Sequence, residues 1–503
     1  MSISRRQFLK RGAGAAALGA GLPLVKGCPV NGQIRRVQTR SSVDGLLDTD
    51  LTVRLARNRI GDALLYSRTY EGCIPGPTLE VRPGDTLRLR ITNNLPEEHD
   101  KRAAGPSGGE KGEMHHGGFN ITNFHTHGLH VSPKGIADNP YRQFMPGTTN
   151  DVEIDIPADH PAGTFWYHPH HHGAVAVQVM GGMAGALIVR GDIDEVPEIA
   201  DAKEHILVLQ EVRVNSNNET PLLDEHAFHE GSTHAMFPGS TLHRTINGQV
   251  NPIIKMRPGE VQRWRFIQAG VDQITPIALD GHTFHHIAMD GITFKKPEEV
   301  DSVLIAPGNR ADVLVKAGAV GTYSLRKLEY NQGFGDVDEE VLATVKVEGS
   351  AMNMPLPNSL PTPSSLEFIA DDEVENTRVV SFSVDSPPPG EMIPVFAING
   401  QTFDPDRIDD EIPLGAVEEW IVTSATSDEH PFHIHVNPFQ VTQINGNPVK
   451  PKRWLDTVIV PGFGIVRVRM RFLDFIGKSV YHCHILTHED LGMMANFKVV
   501  KPA

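Results

Sequence analysis

The chain has 503 residues, of which 62 are acidic and 46 basic, for a formal net charge of −16. That balance argues against a nucleic-acid surface, and its simplest meaning is solubility. At this length roughly three domains of about 150 residues are expected. The 47 Gly and 37 Pro, with short Val/Ile/Thr/Phe runs between turn signals, favour β structure over long helices.

Residues 1–30 read as an export signal. "SRRQFLK" (4–10) precedes the weakly apolar run "AGAAALGAGLPLV", too short to span a bilayer and built like a signal h-region. The paired Arg5 and Arg6 resemble the twin-arginine signal. They imply delivery by the twin-arginine translocase to the periplasm or beyond, and no other segment reads as a stable membrane span. Cys28 has three open fates: removal with the signal, lipid attachment, or a disulfide to Cys73 after export. Cys73 reads most simply as a small buried residue.

The rest of the chain repeats itself. "EGCIPGPTLEVRPGDTLRLRITNN" (71–94) matches "NGQVNPIIKMRPGEVQRWRFIQAG" (247–270) in its Gly, Pro and Arg-Pro-Gly-acid spacing, and a weaker copy begins at Asn399. Each copy closes on a similar strand: "GTFWYHPH" (163–170), "GTYSLRKL" (321–328) and "GKSVYHCH" (477–484). Short strands between turns predict an all-β chain of three Greek-key β-sandwiches. The domains are expected at 46–192, 204–349 and 376–503, with a Pro/Ser-rich linker over 350–375.

Five His-x-His pairs stand out: His125/His127, His168/His170, His170/His172, His433/His435 and His482/His484. About one such pair is expected by chance among 25 histidines. On the closing glycines His168 and His482 align with Arg326, and "FHTH" and "FHIH" align with "PIAL" (276–279) to within a residue. The middle copy therefore has no ligands and reads as a spacer, while the outer two each offer two His-x-His strands. Eight imidazoles meet if those domains face each other.

"YHCHILTHEDLGMM" (481–494) places Cys483 between two of these histidines. Thiolate, imidazole and thioether form a soft set suited to copper. On a strand Cys483 points to one face and His482 and His484 to the other, so the segment reads as a bridge between two metal sites. Met493 or Met494 is the axial candidate.

"HTHG", "HPHHHG", "HPFHIH" and "HCHILTHEDLGM" together resemble the bacterial multicopper oxidases of laccase-like type, with three cupredoxin domains, over nearly the whole chain after about residue 45. The resemblance implies four copper ions. A type 1 (blue) ion would take His430, Cys483 and His488, with Met493 axial, and a type 2 ion His125 and His433. The type 3 pair would take His127, His168 and His484 on one ion and His170, His435 and His482 on the other. It further implies that Cys483 relays electrons from the blue site to the other three ions, with O₂ as acceptor. Asp138 and Glu489 are the candidate proton sources, catalytic together with Cys483. His172 reads as a neighbour of the cluster, Trp166 and Tyr167 as packing, Asp456 as an orienting residue, and Asp428 and Glu429 as rim residues. A phenolic or aromatic amine donor at an open rim near His430 and His488 is expected. Cu(I) oxidation is the alternative, and a non-enzymatic copper-binding or cell-division scaffold the second.

Overall fold

The computed structural model describes residues 32–97, 118–220, 239–333, 335–363, 366–387 and 394–502. The expectations for residues 1–30, with Arg5, Arg6 and Cys28, fall outside these. Among the described residues no helix is long and apolar enough to cross a membrane.

The molecule is built of sheets, as the alternating pattern predicts. The first pair contains a four-stranded sheet ordered 63–70, 46–60, 86–93, 149–155. Its partner is five-stranded, ordered 39–41, 78–81, 185–189, 163–168, 125–127. Leu51, Leu87, Leu89, Ile91, Phe124 and Tyr167 fill the space between them. A second pair, of six and five strands, runs from Lys203–Val214 to Glu340–Val347, and a third from Asn376–Asp385 to Met494–Val500. Trp264 and Phe266 anchor the second core, and Trp420, Phe432 and Tyr481 the third.

The register tests the repeat alignment. His125 pairs with His168 in the first sheet set and His433 with His482 in the third. In the second, Ala278 pairs with Arg326. The ligand-bearing ladder position thus exists in the middle copy but carries Ala278 and Arg326, one residue off the "PIAL" alignment. Arg326 turns to Asp280 and Glu339 near the surface.

The strands His125–His127, Gly163–His168 and His430–Ile434 are buried at every residue. Strands covered on one face alternate buried and exposed positions. These are covered on both, by their own core and by the facing histidine-bearing strands.

Candidate metal centres

Eight imidazoles converge between the first and third sheet sets, all buried to 2% exposure or less. His125 stacks on His435 and His127 on His433, each with ring centroids 3.9 Å apart. Burial, reinforced for most of them by the neighbouring imidazoles, pushes all eight below the ordinary histidine value, His168 to about 3 and His482 to about 4. The rings are therefore neutral, each with a lone pair to give.

Backbone and carboxylate acceptors decide which nitrogen faces inward. His433 Nδ1 donates to Asp456 O at 2.7 Å, His168 Nδ1 to Pro169 O at 2.8 Å and His482 Nδ1 to Cys483 O at 3.0 Å. His125 Nδ1 lies 3.0 Å from Asp138 Oδ1. Among the described residues the Nε2 atoms of His125, His168 and His433 are then buried without a hydrogen-bond partner, which costs about 1–3 kcal/mol each if left so.

A metal fits this set. His170, His435 and His482 bring their Nε2 atoms to 3.1, 3.2 and 3.4 Å from one another. The centre of that triangle is about 1.9 Å from each nitrogen, close to the roughly 2.0–2.1 Å of a metal–imidazole bond. His127 Nδ1 lies 3.2 Å from His484 Nε2. His125 reaches both sides, grouping with His433 and His435 and with His127 and His168.

The second centre lies behind the first. Cys483 Sγ is 3.6 Å from His430 Nδ1 and 3.7 Å from His488 Nδ1, in a fully buried group. Strand alternation sends Cys483 into the apolar core of the third sheet set while His482 and His484 face the cluster. Met494 pairs with His482 across the ladder, and Met493 bonds its backbone to Cys483. Met493 joins Cys483 in the core, whereas Met494 lines a cavity of about 530 Å³ that reaches His170 and His172.

The two candidate acids differ. Asp138 binds His125 and Thr126, at 2.8 Å from Thr126 Oγ1, and burial pushes its carboxyl up to about 7 against those hydrogen bonds. Glu489 is fully buried on the short helix Leu486–Asp490, its oxygens 3.2 Å from His482 Nδ1 and 3.4 Å from His170 Nε2. Neither contact has hydrogen-bond geometry, and neither oxygen has another partner among the described residues. Burial, then the neighbouring Asp490, holds the Glu489 carboxyl well above the usual range.

Two expectations need correction. The rim is not open: His430 and His488 are 0% and 1% exposed. Thr426 Oγ1 sits 2.8 Å from His430 Nε2, and Phe396 lies against His488 at 4.7 Å. Nor is the middle copy only a spacer. Its Gly308 backs onto His127 and His484, where an added Cβ would come to 3.0 Å of either ring, and its Arg310 grips Asp456. Its Asp272 accepts from Thr487, beside His488, at 3.0 Å. The motif glycine Gly128, at φ +89°, leaves the space that Arg310 and Asp456 occupy.

The remaining candidates are placed as follows. Trp166 stacks on His168 at 4.2 Å, and Tyr167 donates to Pro77 O. His172 lies against Phe403. Sequence reading missed Arg310, Thr426 and Asp272. Arg310 alone left a signal, a charge opening the apolar strand "RADVLVK".

Comparison with known proteins agrees with this geometry. Three family models, each described as multicopper oxidase, match residues 119–193, 209–348 and 373–503. A laccase of Bacillus stratosphericus is 25% identical, over 86% of this chain and 90% of its own. The cell division protein FtsP of Edwardsiella tarda is 26% identical, over 92% and 91%. A multicopper oxidase structure from Campylobacter jejuni, described as a metallo-oxidase, superposes with a TM-score of 0.73 at 26% identity, covering 95% of this chain and 96% of that one. With its cupredoxin-like sheet pairs and a donor set that suits copper, the chain belongs to the multicopper oxidase family.

Proposed function

We propose that the protein is a laccase-like oxidase that removes single electrons from phenols or aromatic amines and reduces O₂ to water. The observation that carries this is the segment His482–Cys483–His484, which joins a buried Cys/His₂ group to a cluster of eight imidazoles. Copper bound there would supply one-electron acceptance at the thiolate site and storage of the four electrons that O₂ needs at the cluster. The blue ion would be held by His430, Cys483, His488 and Met493. His125 and His433 would hold the type 2 ion, with His127, His168 and His484, and His170, His435 and His482, holding the type 3 pair.

The chain's own residues do the rest. Cys483 shares peptide bonds with both His482 and His484, so this three-residue segment would offer a covalent path between the two sites. Asp138 and the Asp456 backbone orient His125 and His433. Glu489 keeps a proton at its carboxyl beside His170 and His482. The full ligand set speaks against a scaffold role. Residues 1–30 support export to the periplasm.

The donor would meet the surface at Ala425–Glu429. There Thr426 touches His430, Tyr330 binds Glu429 at 2.6 Å, and burial raises the half-buried Asp428 and Glu429 carboxyls. Phe463, 73% exposed, donates its backbone N–H to Thr426 O at 2.7 Å and offers a ring face to an aromatic donor. The buried histidines favour a second reading, oxidation of Cu(I) or another metal ion at those carboxylates. Oxygen uptake should be substantial on a dimethoxyphenol without added copper, and Phe463→Ala should raise its KM several-fold with the blue absorption unchanged. Turnover that needs excess copper, or that is much faster on Cu(I), selects the metal-ion reading.

Met493→Leu should raise the blue-site potential, since removing a weak axial donor destabilises Cu(II) relative to Cu(I). Met494→Leu, on the other face, should change it little. A redox titration in which the two exchange behaviour would refute the axial assignment.

A further inference from the structure

Arg310 comes from the repeat that has no ligands, yet it is 0% exposed and packed against the histidine cluster. Four of its five N–H donors are committed. Nη1 binds Asp456 Oδ1 at 2.8 Å and Gly308 O at 3.0 Å, Nη2 binds Asp456 Oδ2 at 2.6 Å, and Nε binds Thr164 O at 3.0 Å. Asp290 lies 3.7 Å away on another side. Asp456, held this way, meets His127 Nε2 through Oδ1 at 3.1 Å, and its backbone oxygen accepts from His433 Nδ1.

A neutral imidazole carries one proton, and the partner of one nitrogen decides which nitrogen keeps it. With Asp456 accepting from His127 Nε2 and His433 Nδ1, the bare lone pairs are on His127 Nδ1 and His433 Nε2. Those are the atoms that face the cluster, the first 3.2 Å from His484 Nε2 and the second without a partner. We propose that Arg310 is a positioning residue of the cluster: it fixes the Asp456 carboxylate and backbone, and through them the tautomer and aim of His127 and His433. The inference rests on the copper reading above. It makes the middle repeat a working part of a site to which it gives no ligand. A bidentate guanidinium grips both carboxylate oxygens, which a lysine ammonium does less well.

The test compares the parent protein with Arg310→Met, Arg310→Lys and Asp456→Asn. Each is titrated with copper and read by copper per chain, blue absorption and electron paramagnetic resonance. Loss of such outer partners typically weakens metal binding roughly 10–100-fold. Arg310→Met should therefore keep the blue absorption, hold less copper in the cluster at limiting metal and show an altered type 2 signal, with Arg310→Lys nearer the parent. If Arg310→Met does not fold, Asp456→Asn decides by the same readouts. Its single carbonyl oxygen cannot replace both carboxylate oxygens, so either the guanidinium grip or the His127 tautomer is lost. Unchanged cluster copper and signal in the folded variants overturns the proposal, as does a parallel decline of the blue and cluster sites. A parent that binds no copper in the cluster sinks the copper reading instead, which is a different result.

Discussion

Cys483→Ser is expected to abolish the blue absorption and nearly all turnover while the histidine cluster still binds copper. Serine offers a hard hydroxyl where the set of Cys483, His430 and His488 offers a soft thiolate. The loss should exceed the roughly 100-fold that removal of an outer partner costs. The substitution also separates the two centres. Cys483 lies in the core with Phe432, Tyr481 and Met493, while its neighbours His482 and His484 point away from that core. Burial pushes the free thiol up, so metal binding there has to displace a proton. Serine leaves the apolar surroundings intact apart from a new hydroxyl near Ile485 N–H, now 3.5 Å from the sulfur. Copper counting and absorption on the loaded variant check this, and a retained blue band would contradict the assignment.

The histidine cluster and the Cys483 group were largely legible because the residues that form them come in local motifs. His-x-His on a strand puts two imidazoles on one face whatever surrounds it, and the Cys483 segment carries both sites within three residues. Arg326 and Ala278 at the equivalent ladder position explain why the middle copy holds no ligand.

What surrounds the ligands was not legible, for the opposite reason. Arg310 meets Asp456 across 146 positions of chain, and Asp272 meets Thr487 across 215. No spacing rule brings such pairs together; the packing of one domain on another does. The covered rim arises within the third sheet set: Thr426 turns its hydroxyl onto the ring of nearby His430, and Phe396, on the strand Val395–Ile398, lies against His488. A motif names ligands and leaves their exposure unspecified.

Glu489→Gln should leave copper content and blue absorption unchanged but lower turnover about 10²–10⁴-fold, the usual contribution of a positioned acid. Besides Asp456, which Arg310 holds against His127, three acids lie in or beside the cluster, and their partners separate them. Asp490 gives its oxygens to the backbone N–H groups of Gly173, Val175 and Ala176, at 2.7, 3.2 and 2.7 Å, and so caps the helix Val175–Met180. Asp138 is tied to His125 and Thr126 and orients the His125 ring. Glu489 alone of the three has no hydrogen-bonded partner for either oxygen, at 0% exposure, beside His170 and His482. A bare carboxylate there is costly, so the group keeps its proton. On the proposed reading, reduction of O₂ to water would need protons among imidazoles that are at most 2% exposed, and Glu489 would give one toward the face shared by His170 and His482. Glutamine keeps the shape and the polarity of that side chain and removes the transferable proton. Oxygen uptake at saturating donor, with copper counted on the same sample, decides the matter. Turnover within about twofold of the parent would assign Glu489 to packing and move the proton route to Asp138.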